Sequence, residues 1–289
     1  MVSKLSDISV LVTKASGIKV PFDPEKLGRS LRKAGADNET ASHIIAETEK
    51  QLYSEISTKE IYKIAFSILK KKARPVAAKY KLKKAIQELG PSGYPFEKYV
   101  GEILKCEGFD VQVGKVVNGH CVSHEIDVIA QKDDKHFMIE CKFHNKPGNM
   151  CNVKVPLYIH SRFLDVEKKW QLQPGHGTFF HQGWIVTNTR FTSDALTYGL
   201  CSGLNLVGWD FPENESLKDR INHSGLHPIT CLTTLAKSEK QFLLDAGVVL
   251  CRDLCEHPEL LHEHFHISDR QSQKVLKEAK EVCTTTIIN

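Results

Sequence analysis

Apolar positions at intervals of three and four mark the first helical stretch of the chain, where Leu27, Leu31 and Ala34 follow Asp23 as N-cap and Pro24 at the first helical position. Ahead of it, Ser9 to Val20 alternates in short β-prone runs. Val10 and Val12 lead into a turn at Ser16-Gly17, which predicts a small hairpin. Helices are expected over about 38 to 53, 58 to 73 and 75 to 89, with Ser57 and Thr58 as good caps for the second of these. Gly90-Pro91-Ser92-Gly93-Tyr94-Pro95 is the densest turn-forming stretch in the chain and sets a boundary after residue 92.

The pattern then changes period. An amphipathic helix from Phe96 to Glu107 runs into Gly108-Phe109, and three strands follow at Asp110 to Val117, Glu125 to Gln131 and Lys135 to Phe143. The last two are joined by the polar turn Lys132-Asp133-Asp134. A helix near Tyr158 to Trp170, a buried strand Gly183 to Thr187, a helix capped by Thr192 or Ser193 and a strand Leu204 to Trp209 complete a mixed α/β unit over residues 93–215. Residues 216–289 read as helical. Leu232 to Leu254 and Leu260 to Cys283 form two similar helix-turn-helix passages, the first with its turn at Ala246-Gly247. The fold class expected is therefore α/β: a mostly helical first section with a small hairpin (1–92), a mixed α/β core (93–215) and a helical C-terminal domain.

Composition narrows the function. With 289 residues, 41% hydrophobic and 26% charged, the chain has the make-up of a soluble globular protein of about two domains. No stretch approaches the roughly 18 apolar residues of a membrane helix, and Ile8 to Val12 is too short for a signal peptide. Nine scattered cysteines fit reduced thiols, so a cytoplasmic location is expected. The net charge of +4 is unevenly spread: residues 1–92 carry 18 Lys and Arg against 10 Asp and Glu, and the rest is net acidic. Nine cations from Lys63 to Lys84 fall in a stretch with no acid between Ile61 and Gln87. Such a block attracts phosphate, of nucleotide or nucleic acid, and also fits a solvated helical face.

The most specific chemistry is carried by Asp127, Glu140 and Lys142. A period of two puts Glu140 and Lys142 on one face of a strand, and thirteen residues from Asp127 to Glu140 suffice for a hairpin turn and return, so the carboxylates can meet. Charges inside the apolar run Phe137 to Phe143 would be costly if left unpaired. Two carboxylates beside a lysine are what phosphodiester hydrolysis requires: Asp127 and Glu140 to hold a hard, octahedral Mg²⁺, Lys142 to orient water or offset phosphate charge. Glu97, on the helix before the strands, is a candidate further carboxylate, ahead of Glu102. His144, just after Lys142, is placed to touch a phosphate. Cys251, Cys255, His257, His262, His264 and His266 are dense enough to raise zinc but lack finger spacing.

These residues carry resemblances. The run Glu97…Gly108-Phe109…His124-Glu125-Ile126-Asp127-Val128-Ile129-Ala130…Ile139-Glu140-Cys141-Lys142 resembles the Mrr-type branch of the PD-(D/E)xK nucleases, which includes type IV restriction enzymes and archaeal Holliday junction resolvases, over roughly residues 93 to 210. The resemblance implies a restriction-endonuclease-like core, metal ligands at Asp127 and Glu140, a catalytic Lys142 and a helix acid at Glu97. Ile126 stands where the family often has proline. Residues 1–92 resemble the ATP-cone through Val12-Thr13-Lys14, Gly17, Pro21-Phe22-Asp23, Lys26-Leu27 and Ile56-Ser57-Thr58, which implies binding of ATP or dATP as effector at Lys14, Lys26 and Thr58. Ala15 and Val20 depart from the family's basic and acidic residues. No P-loop competes, since Gly114-Lys115 is followed by Val116 and Phe109 stands where the first glycine belongs. The tail loosely resembles tandem helix-hairpin-helix segments, which contact DNA. Together the resemblances imply a Mg²⁺-dependent DNA endonuclease with a nucleotide-sensing N-terminal domain, acting on DNA that is modified or branched, possible as a homo-oligomer. The alternatives are a structure-specific repair nuclease and a non-cleaving, nucleotide-responsive DNA-binding regulator.

Overall fold

The computed structural model describes residues 10–14, 16–171, 180–264 and 268–283; Ser9, Ala15 and His266 lie outside them. The first hairpin is β1 (Leu11–Thr13) and β2 (Lys19–Pro21), antiparallel, and β3 (Ile56–Ser57) joins β1 in parallel. Between them run α1 (Pro24–Lys33) and α2 (Asn38–Glu49), each opened by an aspartate that caps it: Asp23 accepts from Lys26 N at 3.0 Å and Asp37 from Thr40 N at 2.6 Å. Ser57 is the N-cap of α3 (Thr58–Lys72), in a reciprocal capping box with Glu60.

The single helix expected over 75 to 89 is two, α4 (Arg74–Tyr80) and α5 (Leu82–Gln87). The break falls at Lys81, whose ammonium turns inward to Glu88 (2.6 Å) and to Thr230 O (3.0 Å), a partner 149 residues away that local periodicity does not register. Helix α2 likewise stops at Glu49, short of the expected residue 53.

The α/β unit follows the expected order: α6 (Tyr94–Cys106), β4 (Asp110–Asn118), β5 (Ser123–Lys132), β6 (Lys135–Lys142), β7 (Met150–Cys151), α7 (Lys154–Gln171), β8 (Phe180–Thr187), β9 (Arg190–Phe191), α8 (Ser193–Cys201) and β10 (Asn205–Val207). The main sheet has the order β10-β8-β6-β5-β4, antiparallel among β4, β5 and β6 and parallel from β6 through β8 to β10. Its architecture is α/β. Asp133 and Asp134 make the tight β5–β6 turn with positive φ, a conformation aspartate tolerates. The tail continues through α9 (Leu217–Ser224), α10 (Lys237–Asp245), α11 (Cys251–Glu256), α12 (Leu260–His264) and α13 (Asp269–Cys283).

Leu27, Leu31, Ile44, Ala65 and Leu69 form the core among α1, α2 and α3. A larger core joins Leu82, Ile86 and Leu89 to Phe96, Tyr99 and Ile103 of α6, to Val128, Ile139 and Trp184 of the sheet, and to Leu243, Leu254 and Val275 of the tail. Buried Tyr99 donates its hydroxyl to Leu226 O at 2.6 Å. The tail is fastened by Glu278, 2% exposed, whose carboxylate accepts from both the backbone and the hydroxyl of Thr233 and of Thr234, at 2.6 to 3.0 Å. Glu278→Ala strands these donors inside the protein, and the expected loss is about 3 kcal/mol of stability, read as a lower urea midpoint at unchanged slope.

Candidate active site and nucleotide cavity

Strand alternation reverses in the middle of the β4–β5 ladder. Val111 and Val113 of β4 and Val128 and Ala130 of β5 pack toward α6, whereas Val117 and Ile126 pack toward α7 with Met138, Phe163 and Val166. The registered pairs Val113–Val128 and Lys115–Ile126 flank one position without a pair, where Gly114, at φ +63°, stands opposite Asp127. The β5–β6 ladder also stops at Val128–Ile139, one residue short of Asp127. Glycine supplies the left-handed turn, and Asp127 is released from regular pairing.

The freed carboxylate accepts from Cys141 N at 2.7 Å, which brings Asp127 of β5 against the end of β6. There Glu140 is 4% exposed. One of its oxygens takes Lys142 Nζ and the other Arg162 Nη1, both at 2.6 Å. Arg162, from α7, also donates to Glu125 O and lies 5.4 Å over the Tyr158 ring. Burial first, then the Glu140 charge, raises the Asp127 carboxyl to about 6 against the opposing Cys141 hydrogen bond and the Lys142 and Arg162 charges. Glu97, in the first turn of α6, rises to about 7 through burial and then through Asp127, Glu125 and Glu140. The structure thus brings Asp127, Glu140, Lys142 and Glu97 into one charged cluster. Glu102 is engaged elsewhere, by Lys105 and Arg252.

The far side of the cluster is stiffened from β8. Thr187 donates its hydroxyl to Lys142 O at 2.7 Å, and Asn188, 1% exposed, exchanges two hydrogen bonds with the His144 backbone at 2.8 and 2.9 Å. The His144 ring lies 3.5 Å from Cys151 Sγ, and burial followed by the Lys142 charge lowers its pKa. Among the described residues no three His, Cys, Asp or Glu side chains converge into a metal-holding group, at the carboxylate cluster or at Cys251, Cys255, His257 and His262. Cys251 instead donates its thiol to Pro228 O. The side chains at the carboxylate cluster are of the ligand type a hard divalent cation takes, with both Glu140 oxygens engaged by Lys142 and Arg162. Burial and the neighbouring carboxylates raise the proton affinity of Asp127 and of Glu97, an excess of negative charge that the nearby cations leave incompletely neutralised.

In the N-terminal section Lys14, Lys26 and Thr58 line one cavity of about 450 Å³, with Asp23 and the departing residue Val20 also in its wall. Tyr62 and Tyr80 close it on one side, stacked at 5.1 Å between centroids and 12° between planes. Among the described residues the buried Tyr62 hydroxyl has no hydrogen-bond partner. Sequence reasoning missed Arg162, which looks like any cation of an amphipathic helix, and the two tyrosines, whose spacing reads as helix packing. It passed over Gly114 as well, although a glycine inside a strand is a signal for irregular pairing.

Residues 10–88 match the family model described as ATP cone domain, and residues 227–283 match that described as AF1548-like, C-terminal. A curated protein of Archaeoglobus fulgidus, named only "Uncharacterized protein", is 39% identical over 183 residues, covering 63% of this chain and 99% of its own. A solved structure described as "Crystal Structure of Protein of Unknown Function AF1548" is similar with a TM-score of 0.55 at 39% identity, over 66% of this chain and 98% of that one.

The Asp127 shift has a consequence for stability. A carboxyl held near 6 in the folded chain and near 4 in the unfolded one costs nothing below about pH 4; the penalty grows between 4 and 6 and is full above. In metal-free buffer Asp127→Asn, which keeps an oxygen for Cys141 N, is expected to match wild type at pH 4 and to exceed it by roughly 2 kcal/mol above pH 6. Urea unfolding of both proteins from pH 4 to 8 checks this.

Proposed function

The chain belongs to the AF1548-like family, and from its ATP cone and its carboxylate-lysine cluster we propose that it is a Mg²⁺-dependent DNA endonuclease regulated by ATP or dATP. The observation that carries the reading is the convergence of Asp127, Glu140 and Lys142, with Glu97 beside them, where β6 ends. Asp127 and Glu140 would hold the metal, with Glu97 as the further carboxylate, which feels their charge. When bound, Mg²⁺ supplies charge stabilisation on the phosphoryl oxygens and eases deprotonation of the attacking water.

The remaining work falls to side chains. Lys142, 31% exposed and aligned by Glu140, presents its ammonium to the phosphate, where it offsets developing charge. Glu97, with a pKa near 7, is suited to take a proton at neutral pH. Arg162 keeps the second Glu140 oxygen fixed in orientation. The choice of modified duplex DNA as substrate rests on the Mrr-type resemblance of residues 93 to 210 alone.

Asp127→Asn and Lys142→Met should each lower plasmid cleavage in Mg²⁺ by at least about 100-fold while the proteins stay folded. Cleavage by Asp127→Asn at the wild-type rate ends the proposal. Methylated plasmid, unmodified plasmid and a four-way junction, assayed in parallel, separate restriction from repair.

The cone supports the regulatory half of the proposal. Nucleotide can act only through a difference in affinity between two states of the protein. Cleavage is therefore expected to depend on ATP or dATP without their hydrolysis. Lys26→Ala, which removes a cation from the cavity wall, should weaken ATP binding about 10-fold by calorimetry and abolish that dependence.

A further inference from the structure

The parallel strands β6, β8 and β10 run out side by side. Lys142 pairs with Thr187, and Val207 pairs with Val186. Just beyond, Trp209 donates its backbone N–H to Thr189 O at 2.7 Å, so Trp209 sits at the same end of the sheet as Lys142. Two strand spacings, about 10 Å, separate their columns. Over the Trp209 ring, 5.5 Å from its centroid, lies Lys83 Nζ, contributed by α5. Lys218 of α9 donates its backbone N–H to Trp209 O at 3.3 Å, and Arg190 of β9 follows Thr189 directly.

The charges at this edge are arranged against their own repulsion. Desolvation first, then Arg190 and Lys218, pushes the Lys83 ammonium below the usual lysine value, with Asp210 pulling the other way. Asp210 is occupied by Arg190, which holds it through Nε at 2.7 Å and through Nη2. The nearby acids Asp219 and Glu215 are turned to Ser216 and Arg220. Among the described residues neither Lys83 nor Lys218 forms an ion pair, and Asp210 is held by Arg190, so Lys83 and Lys218 stand at this edge without a carboxylate of their own. A polyanion supplies that missing charge.

We infer that Lys83 and Lys218, with the Asp210-paired Arg190 beside them, form a track for the sugar-phosphate backbone of the DNA strand that enters the Asp127–Glu140–Lys142 site, the buried Trp209 ring holding Lys83 at the sheet edge. The inference rests on the nuclease reading and names the partner surface of that same site. The 10 Å offset corresponds to about three steps of a duplex at 3.4 Å each, so the track engages phosphates beside the scissile one. Lys83 also gives the basic block between Lys63 and Lys84 a specific role: one of its members, on the helix that follows the cone's Tyr80, reaches the catalytic sheet.

Binding of a short fluorescein-labelled DNA duplex to the full chain, followed by anisotropy without divalent metal over a range of salt, tests the track. Lys83→Met and Lys218→Met should each weaken binding about 10-fold and lower the salt slope by about one. Lys83→Arg should restore both, and Lys70→Met, on α3, should leave both unchanged. Wild-type affinity and slope in Lys83→Met and Lys218→Met overturn the inference, as does an equal loss in Lys70→Met. Tighter binding of an RNA duplex of the same sequence overturns the assignment to DNA. Loss of binding in the variants when wild type fails to cleave in Mg²⁺ sinks the nuclease reading and leaves the track; cleavage with unchanged binding does the reverse.

Discussion

A carboxylate buried at the end of a central strand must be met by positive charge, and Glu140 sets that requirement for its surroundings. At 4% exposure it has little water to solvate it, so Lys142 on its own strand and Arg162 on α7 each take one oxygen. That geometry fixes where α7 lies over the sheet, because Arg162 also holds Glu125 O on β5. It also concentrates charge: Asp127 and Glu97 sit close enough to feel Glu140, and both are harder to ionise for it. At neutral pH the cluster is costly to the fold, because Asp127 ionises there against burial and the Glu140 charge.

The kink at Gly114 makes the cluster possible. Regular pairing would hold Asp127 in the ladder with its neighbours Ile126 and Val128 on one common face. With Gly114 in the left-handed region the faces exchange, so Val128 packs toward α6 and Ile126 toward α7, and Asp127 is left to reach the Cys141 amide. Two separate layers, α6 and α7, therefore grip the same strand on opposite sides of one residue. An irregularity in the sheet is tolerated because both exchanged faces remain buried.

Much of this was legible in the chain. Alternation and turn chemistry located β5, β6 and the Asp133-Asp134 turn, so Asp127, Glu140 and Lys142 could be seen to approach one another. Capping residues located α1 and α3, and the ATP-cone resemblance pointed to Lys14, Lys26 and Thr58, which line one cavity. What escaped was set by contacts remote in sequence. Lys81 divides a helix beside a carbonyl 149 residues away, and Arg162 acquires its role only when α7 crosses the sheet. The larger core was equally hidden, since Leu82, Ile86 and Leu89 look like the apolar stripe of a self-contained helical domain yet pack with α6 and the tail.

That shared core bears on how a nucleotide in the cone could be felt at the sheet. Tyr80 lines the cavity as the last residue of α4; Lys81 is bonded to Thr230 O; Lys83 lies over Trp209. Three links from the cavity to the sheet edge thus occupy four residues of chain, and Thr230 returns a hydrogen bond of its own to Ala85 O at 2.7 Å. A flexible tether between two independent bodies would dissipate a shift of Tyr80, whereas a short helix packed into a common core has to move as a unit or not at all. A displacement of the stacked tyrosines would bear first on α5, which connects Tyr80 to Lys83 over Trp209.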